Sequence, residues 1–405
     1  MNALNLDIIN FIVDLLVWNL DGSRDRVSLA VASRLNRLWR APAQARLFET
    51  VDISSRQTLN AFTRSLPTSS RRGRQLRAAV LQLSIGISSH TPVLGVAPSH
   101  SLLERDMIAL LPTLPNLYVL RVTSVASAIS RAGQKTLSAM KIPQIRSLMV
   151  SYAGEPPDRK HQIFLNLVDS LPMLERIAFI GRGTYMWPSS LPSGTSIPKS
   201  PLLRIKELRV YLLHSQPSVK GSDLAWLIDH SPSSLEILHL YDIVLDPSMS
   251  PFILSVAGQL RSFHASSSTQ LDLKELPEWV EKMTSLQELV IRNDIISAEC
   301  FRVQVDLPRL MKVAPGTLQH LGFAVDKHAA LETVNIQIDQ WAERWQTHLS
   351  VLTLVLTSTD PIGENWQPTP AVRRLRLFHH KDMDVAFAFV RSPVREMPPT
   401  ELLLS

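Results

Sequence analysis

The chain has 405 residues, a length that exceeds what one compact core usually holds and predicts two domains or an elongated repeat protein. Hydrophobic residues make up 45% of it and charged residues 19%, which excludes wholesale disorder. The formal net charge of +6 is too small to indicate nucleic-acid binding by itself, and 14 glycines leave little material for a glycine-rich cofactor loop.

Residues 4–20 predict an amphipathic helix. Apolar side chains recur at every third or fourth position, which places a broad apolar stripe on one helix face. Asp7 and Asp14 interrupt this run, and no Lys or Arg precedes it, so we expect neither a signal peptide nor a membrane span. The stripe consists of Leu4, Ile8, Ile9, Ile12, Val13 and Leu16.

Two further short helices are predicted before residue 50. Asp21 and Gly22 end the first helix, and Ser23 is the predicted N-cap of a second. Pro42 is predicted to open a third helix. The second helix carries Val27, Val31 and Leu35 on one face, and Trp39 follows it. Residues 1–53 therefore form a predicted three-helix domain that ends in the first extended residues.

A basic cluster follows at Arg71, Arg72, Arg74 and Arg77. Such a cluster can act as a nuclear-localisation signal or as a contact patch, or it can be a solvated connection between domains. We favour the third interpretation, so residues 54–75 are predicted to be a linker.

From residue 76 onward, one pattern recurs: apolar-x-x-apolar-x-apolar. Its middle residue advances from 120 to 375 in nine steps, or about 28 residues per step, and leucine-rich repeats have periods of roughly 20–29 residues. The last two apolar positions are separated by one residue, which is the periodicity of a strand. The middle residues are Leu81 in a weak first copy, then Leu120, Leu148, Ile177, Leu208, Leu238, Phe263, Leu289, Leu321, Leu352 and Leu375.

Helical segments precede many of these strands, which predicts an α/β fold: an irregular leucine-rich-repeat-like solenoid over residues 76–405, with parallel strands inside and helices outside. An ordinary α/β sheet is the less favoured alternative, because the copies are so evenly spaced. Three segments rich in Ser, Pro and Gly are predicted to be inserted loops, at 85–101, 183–201 and 358–369. The predicted helices include 104–111, 162–171, 222–230, 276–283 and 337–346.

The N-terminal segment resembles the F-box family. The resemblance is carried by Leu-Asn-Leu-Asp-Ile-Ile at 4–9, by Ser-Leu-Ala-Val-Ala-Ser-Arg-Leu-Asn-Arg-Leu-Trp at 28–39 and by Ala-Arg-Leu-Phe-Glu-Thr-Val at 45–51. Asn5 stands where the family usually has Pro. The repeats separately resemble the leucine-rich arrays that often follow an F-box, especially in fungal families, and the order of the two parts is the same here.

This resemblance implies a function. F-box proteins are substrate receptors of SCF-type cullin-RING ubiquitin ligases: their helices dock on the Skp adaptor and their repeats hold a target protein. We expect about half of the candidate adaptor-facing residues to be exposed in the absence of the adaptor. These candidates are Leu4, Leu6, Ile8, Ile9, Ile12, Val31, Leu35 and Trp39. The alternative is a repeat scaffold without a ligase role, in which the N-terminal helices only cap the array.

The residues between the apolar strand positions point to the opposite face, which is the usual binding surface of such an array. Arg is enriched there and only two acids occur, Glu207 and Glu288, so we expect an acidic or phosphorylated target. The alternative is that Arg merely keeps an open sheet face soluble. The candidate target-binding residues are Arg121, Arg176, Arg209, Tyr211, His239, Tyr241, Arg292, Arg374 and Arg376.

Signatures of enzyme chemistry are missing from the sequence. It contains no phosphate-binding glycine loop, no His-Glu-x-x-His and no Gly-x-Ser-x-Gly. His379 and His380 are adjacent, so they would point to opposite faces of a strand and make poor joint metal ligands. Cys300 is the single cysteine and no Asn-x-Ser/Thr sequon occurs, which is typical of a reducing compartment. We therefore expect a cytoplasmic or nuclear non-enzyme without a cofactor or metal, and neither nucleic acid nor membrane as a partner.

Overall fold

The fold is described from a computed structural model. It covers residues 5–17, 25–88, 102–125, 133, 135–136, 139–140, 142–152, 162–181, 203–212, 219–230, 232–241, 243, 247–267, 275–293, 307–325, 329–356 and 368–379. The chain divides into two units, one comprising residues 1–217 with 226–231 and the other residues 218–225 with 232–405. The predicted boundary near residue 54 therefore does not coincide with this division.

Strands occur at every copy of the apolar pattern, and that prediction is confirmed. In the weak first copy the predicted register is wrong by two residues, because Leu81 precedes the strand and Leu83 is the residue paired with Leu120. The extended residues predicted at the end of the N-terminal segment also form a strand. Within the described residues the strands are β1 Thr50–Ile53, β2 Gln82–Ser88, β3 Val119–Val125, β4 Ser147–Tyr152, β5 Arg176–Gly181, β6 Glu207–Leu212, β7 Ile237–Tyr241, β8 Ser262–Ser267, β9 Glu288–Asn293, β10 His320–Val325, β11 Val351–Leu356 and β12 Leu375–His379.

Each unit contains parallel strands that neighbour one another in the order of the sequence. In the first unit β1 pairs with β2, and each strand through β5 pairs with its successor. In the second unit the same relation holds from β7 to β12. Parallel neighbours need a crossover connection, usually a helix, and this explains why helices and strands alternate. The predicted class, α/β with parallel strands, is confirmed.

Helices fill many of the connections, close to the predicted positions. The last helix is the exception, because it is longer than the segment 337–346 predicted for it. The described helices are α1 Leu6–Leu15, α2 Arg26–Leu35, α3 Arg37–Phe48, α4 Arg56–Ser65, α5 Arg71–Ala78, α6 Glu104–Leu110, α7 Gln162–Ser170, α8 Gly221–Ile228, α9 Ser250–Val256, α10 Leu276–Lys282, α11 Leu307–Val313 and α12 Ala329–Trp345. None of the helices in these described ranges is long and apolar enough to cross a membrane.

The strands have one apolar face and one polar face. Alternate residues such as Leu208 and Val210 in β6 are fully buried, as are Leu289 and Ile291 in β9. Right-handed crossovers between sequential parallel strands place the connecting helices on one side of the strands, where these residues form the core. In each unit we call the opposite side of the strands the polar face, and the name refers to each unit separately. It carries Asp52, Ser84, Arg121, Arg176, Glu207, Arg209, Tyr211, His239, Tyr241, Ser262, His264, Glu288, His320, Thr353, Arg374 and Arg376.

The three N-terminal helices pack around a core of their own. It contains Ile9, Val13, Val17, Leu29, Ala32 and Ala43, with Leu16, Trp39 and Leu47 packed against it. The N-terminal ends are capped by side chains: the Asn5 side chain accepts from the amide of Asp7, that of Asp25 from Ser28, and that of Asn36 from Leu38.

Two details of these helices differ from the sequence prediction. Asp25 caps α2, whereas Ser23, the predicted cap, lies outside the described residues. Helix α3 begins at Arg37, so Pro42 lies inside it and does not open it. The strong Asn36 cap, which accepts from the amides of both Leu38 and Trp39, explains why α3 begins five residues before the proline.

The segment predicted to be a linker is folded. Residues 54–75 contain α4 and the start of α5. Arg77 is buried: its Nε donates to the carbonyl oxygen of Leu66 at 2.6 Å, its guanidinium donates to Thr113 Oγ1, and it lies 5.2 Å from the ring centre of Phe62. Arg77 is therefore part of the packing between β1 and β2, whereas Arg71, Arg72 and Arg74 are exposed on α5. The error arose because a run of arginines indicates solvation, whereas one of them is the residue that fixes α5.

The predicted loop at 85–101 also begins too early, because residues 85–88 belong to β2. Its residues 89–101 lie outside the described part of the chain, as do all of 183–201 and residues 358–367. Thr369, at the end of the third predicted loop, is buried, and its hydroxyl donates to Asp339 in α12.

A glycine substitution tests whether α5, the helix that carries the basic cluster, packs closely against the residues before it. A Cβ at Gly73 would lie 2.1 Å from the carbonyl oxygen of Pro67, which is backbone and cannot easily move. We expect Gly73→Ala to lower the free energy of unfolding by about 1–3 kcal/mol, as measured by urea denaturation. Gly258→Ala is the matched control, because a Cβ there meets no atom within 4 Å. Equal stability of the two variants would contradict the packing described for α5.

Candidate functional site

The first surface of interest is apolar and lies on the N-terminal helices. Twelve large hydrophobic side chains are exposed among the described residues, and eight of them come from this short segment. The other four, Met173, Leu254, Ile336 and Trp345, are scattered through the rest of the chain. We call the eight the N-terminal apolar surface. It consists of Leu6, Ile8, Phe11, Leu15, Val27, Val31, Leu35 and Leu38.

This surface exists because α1 and α2 each carry two apolar stripes. In α1, Ile9 and Val13 face the core. Ile8, Phe11 and Leu15 repeat with helical spacing on a different face, and Phe11 is 64% exposed. In α2, the exposed side chains of Val27, Val31 and Leu35 follow one another at every fourth position, opposite the buried Leu29. The exposed stripes are therefore additional to the core that holds the three helices together.

The eight residues predicted to face an adaptor fall into four groups. Leu6, Ile8, Val31 and Leu35 are exposed, whereas Ile12 and Trp39 are half-buried. Ile9 is fully buried in the core of the three helices, where it packs against the other helices and does not face an adaptor. Leu4 lies outside the described residues.

Sequence reasoning missed four residues of this surface. These are Phe11, Leu15, Val27 and Leu38. The signal for Val27 was its spacing of four residues from Val31, and the signal for Phe11 and Leu15 was a second apolar stripe in α1.

The second surface is the polar face. In the first unit, a carboxylate of this face neutralises part of the charge of its arginines. Glu207 Oε1 lies 2.5 Å from Arg209 Nε, and Glu207 Oε2 lies 3.6 Å from Arg176 Nε. Arg209 and Tyr211 are buried along this face. Two of the arginines predicted to bind a target are therefore engaged by the chain's own carboxylate.

Arg121 is in a different situation. Its Nε is buried and has no hydrogen-bond partner among the described residues. Burial lowers the pKa of Arg121, and the negative charge of Asp52 offsets this lowering in part. Arg121 therefore has an unused donor on the polar face.

In the second unit, strand register brings together polar residues of neighbouring strands that are far apart in sequence. Ser262 in β8 pairs with Glu288 in β9, which pairs with His320 in β10. His239 in β7 pairs with His264 in β8, one row further along the strands. Neighbouring strands lie about 4.8 Å apart, so side chains in one row are within contact distance.

These residues form a connected network of hydrogen bonds that we call the His–Glu cluster: His239, Tyr241, Ser262, His264, Glu288, His320 and Thr353. Ser262 Oγ donates to Glu288 Oε2 at 2.7 Å, and His239 Nε2 lies 3.0 Å from the same hydroxyl. His264 Nε2 lies 3.1 Å from Glu288 Oε2, and His320 Nδ1 lies 2.7 Å from Glu288 Oε1. Glu288 is thus the centre of the cluster.

Two further contacts orient the histidines. The hydroxyl of Tyr241 lies 2.7 Å from His264 Nδ1, and His320 Nε2 lies 2.9 Å from Thr353 Oγ1. The rings of His239 and His264 stack with centroids 3.7 Å apart and planes inclined by 5°. Both rings are therefore fixed in position and in orientation.

The electrostatics of the cluster favour an ionised carboxylate. Burial opposes the charge of Glu288 and would raise its pKa. Hydrogen bonds from His264 and His320, the charge of His264 and the Ser262 hydroxyl outweigh burial and hold the pKa of Glu288 well below its usual value. The cluster is consequently an anionic centre surrounded by imidazoles.

Three members of the cluster also have the composition of a metal site. His239, His264 and Glu288 each offer one ligand atom, and these atoms lie within 4.8 Å of one another. The sequence prediction named His239 and Tyr241 but did not foresee this convergence, because the three ligands are separated by about 25 residues in sequence. The only signal for it was the equal position of the residues within successive repeats.

The remaining predicted target-binding residues lie around β9 and β12. Arg374 and Arg376 are exposed. Arg292 belongs to β9, but its side chain lies outside what the structure describes.

Comparison with protein-family models and with curated proteins finds no match to this chain.

The charge of Glu288 should stabilise the fold. We expect Glu288→Gln to lower the free energy of unfolding at pH 7 by about 1–3 kcal/mol, because charge-assisted hydrogen bonds are lost. The pKa of Glu288 is lowered in the folded chain. The stabilisation is therefore present above the unfolded pKa of about 4.3 and declines as the pH falls below it. Urea denaturation at pH 7, 5 and 3.5 measures the difference.

The matched control is Glu278→Gln. Glu278 is exposed and lies 3.5 Å from the exposed Arg309, an arrangement that contributes little to stability. A loss in Glu288→Gln no larger than in this control would refute the central role of Glu288.

Proposed function

We propose that this protein is a substrate-recognition subunit of an SCF-type cullin-RING ubiquitin ligase. In this proposal α1–α3 act as an F-box that docks on a Skp-type adaptor, and the strands and helices that follow act as a leucine-rich-repeat-like array that holds a target protein. The protein would not be an enzyme itself. It would accelerate ubiquitin transfer by holding the target near the catalytic machinery of its partners, in the cytoplasm or the nucleus.

The observation that carries the proposal is the N-terminal apolar surface. Exposed apolar side chains that occur singly are ordinary, whereas the concentration of eight of them in three short consecutive helices favours a binding surface. Val27, Val31 and Leu35 are 76%, 55% and 62% exposed, although the helices already have a complete core. Leaving these side chains in water is unfavourable by about 25 cal/mol for each Å² of apolar area, and a docked partner removes that penalty.

The same observation argues against the alternative in which α1–α3 only cap a repeat array. A cap hides the apolar edge of the array and presents a polar outer surface. Here seven large apolar side chains of α1 and α2 are exposed, beside the polar Asp7, Asn10, Asp14, Arg26 and Arg34. The exposed apolar side chains of these helices therefore favour a docking role over a capping role.

The polar face supports an acidic or phosphorylated target. Arg374 and Arg376 are exposed, and Arg121 has a buried donor without a partner among the described residues. Planar guanidinium groups suit carboxylates and phosphates. Arg176 and Arg209 contribute less to this proposal, because Glu207 lies against both.

A charge on the N-terminal apolar surface should weaken adaptor binding. We expect Leu35→Asp to weaken copurification of a Skp-type adaptor by about thirtyfold or more, because a buried interface residue can contribute about 2 kcal/mol or more. The fold should persist, since Leu35 is 62% exposed. Binding is measured with the full chain and purified adaptor, and circular dichroism monitors the fold.

The control for this experiment is Ile336→Asp in α12. Ile336 is 54% exposed, and it lies outside the N-terminal apolar surface. This variant should bind the adaptor as the unmodified chain does. Adaptor binding that survives Leu35→Asp, or that is absent from the unmodified chain, would refute the proposed docking role.

A double charge reversal tests the target class. We expect Arg374→Glu with Arg376→Glu to reduce capture of acidic or phosphorylated target proteins by at least tenfold while adaptor binding is unchanged. Arg261→Glu with Arg309→Glu is the control of equal net charge, because both residues are exposed and lie off the polar face. Proteomic comparison of the captured proteins measures the effect. Equal capture by both double variants would overturn the assignment of an acidic target.

A further inference from the structure

We infer that His239, His264 and Glu288 form a binding site for a first-row divalent transition-metal ion, and that zinc is the ion that it fits best. The inference rests on the geometry of the His–Glu cluster in the second unit. It does not depend on the proposed adaptor role, and neither the repeat pattern nor the polar face requires it.

The three ligand atoms are placed for joint coordination. His264 Nε2 lies 3.1 Å from Glu288 Oε2, and the Ser262 hydroxyl bridges His239 Nε2 and the same carboxylate oxygen at 3.0 and 2.7 Å. Tetrahedral ligands at zinc bond lengths of about 2.0–2.1 Å lie about 3.3 Å apart. The observed spacing is at most 4.8 Å. Because the rings of His239 and His264 are stacked with planes inclined by only 5°, metal binding would require one ring to turn out of the stack so that both nitrogens point at the ion.

The neighbours of the ligands have the composition of an outer coordination shell. The Tyr241 hydroxyl lies 2.7 Å from His264 Nδ1, the nitrogen that would not bind the metal when Nε2 does. His320 lies 2.7 Å from Glu288 Oε1, the oxygen not shared with the other ligands. Metal-bound imidazoles and carboxylates are usually held in this way, through the atom that does not face the ion.

Metal binding also accounts for the crowding of two buried imidazoles against one carboxylate. This arrangement is unfavourable without a ligand, because it removes polar groups from water. Ser262 donates its hydroxyl proton to Glu288, so His239 Nε2 donates to the hydroxyl oxygen, and His264 Nε2 lies 3.1 Å from the carboxylate. A divalent cation at this place would replace the proton on His239 Nε2, bind His264 Nε2 and neutralise the carboxylate directly. The tautomers would then shift to Nδ1–H, and Tyr241 could accept the proton of His264.

The donor set selects the class of ion. Two imidazoles and one carboxylate suit zinc and other late transition metals, whereas Mg²⁺ and Ca²⁺ require mainly oxygen ligands. His239 and His264 are buried, but the Glu288 side chain is 32% exposed, which provides an entry path from the polar face. The described residues supply three of the four ligands of a tetrahedral site, and water or a group on a bound target can complete it.

The test uses the full chain, stripped with a chelator and then dialysed. Isothermal titration with Zn²⁺ should reveal one site per chain, and zinc should raise the melting temperature. Co²⁺ should produce the intense visible absorption bands of a tetrahedral ion with nitrogen and oxygen ligands. Absence of a stoichiometric site in the unmodified chain would overturn the inference without any variant.

Variants assign the site to these residues. His239→Gln and Glu288→Gln should each weaken zinc binding by at least a hundredfold and remove the Co²⁺ bands. His320→Ala should weaken binding by about 10–100-fold and keep the stoichiometry, because this residue orients Glu288 without binding the ion. Circular dichroism without metal verifies that each variant is folded, and the two ligand variants provide independent tests if one of them unfolds.

His230→Ala and His348→Ala are the controls, because both histidines are exposed and lie outside the cluster. They should bind zinc as the unmodified chain does. Zinc binding that persists in His239→Gln and Glu288→Gln, or that is lost in the two controls, would show that the ion binds elsewhere and would refute the site.

Discussion

Burial of alternate residues in parallel strands is the constraint on which the rest of this structure depends. Each strand in a unit pairs with its successor in sequence, so each must place apolar side chains on the side that the helices cover. Leu208, Leu238 and Leu289 occupy equivalent buried positions in β6, β7 and β9. Because side chains alternate, the same register also aligns one polar row per strand on the opposite face. The apolar repeat thereby determines where polar chemistry can accumulate.

The His–Glu cluster and the Arg–Glu contacts are two results of this alignment. Glu207 contacts Arg176 of the neighbouring strand and Arg209 of its own strand. Glu288 contacts His264 and His320, one from each neighbouring strand. A carboxylate that is partly removed from water is stabilised by such partners. The polar face therefore differs from a uniformly basic surface, because its own carboxylates contact several of its basic groups. Only the arginines outside these contacts are available to bind a target.

The sequence predicted what depends on local periodicity and failed where tertiary contacts decide. Every strand could be located, because the spacing of Leu and Ile residues is a local signal. The helices α4 and α5 were mistaken for a linker, because the burial of Arg77 depends on Leu66, Phe62 and Thr113. The adaptor-facing residues were identified in part, since helical periodicity alone cannot tell which of two apolar stripes in α1 faces the core. The convergence of His239, His264 and Glu288 could not be predicted without knowing the register of the strands.

The central claim is that the apolar stripes of α1 and α2 that do not contribute to the core form the docking surface. Hydrogen–deuterium exchange of the full chain, with and without a purified Skp-type adaptor, tests it directly. The account predicts adaptor-dependent protection concentrated in Leu6–Leu15 and Arg26–Leu35, with the strands of both units unchanged. Protection that is absent, or that appears on the polar face and not on these helices, would contradict it.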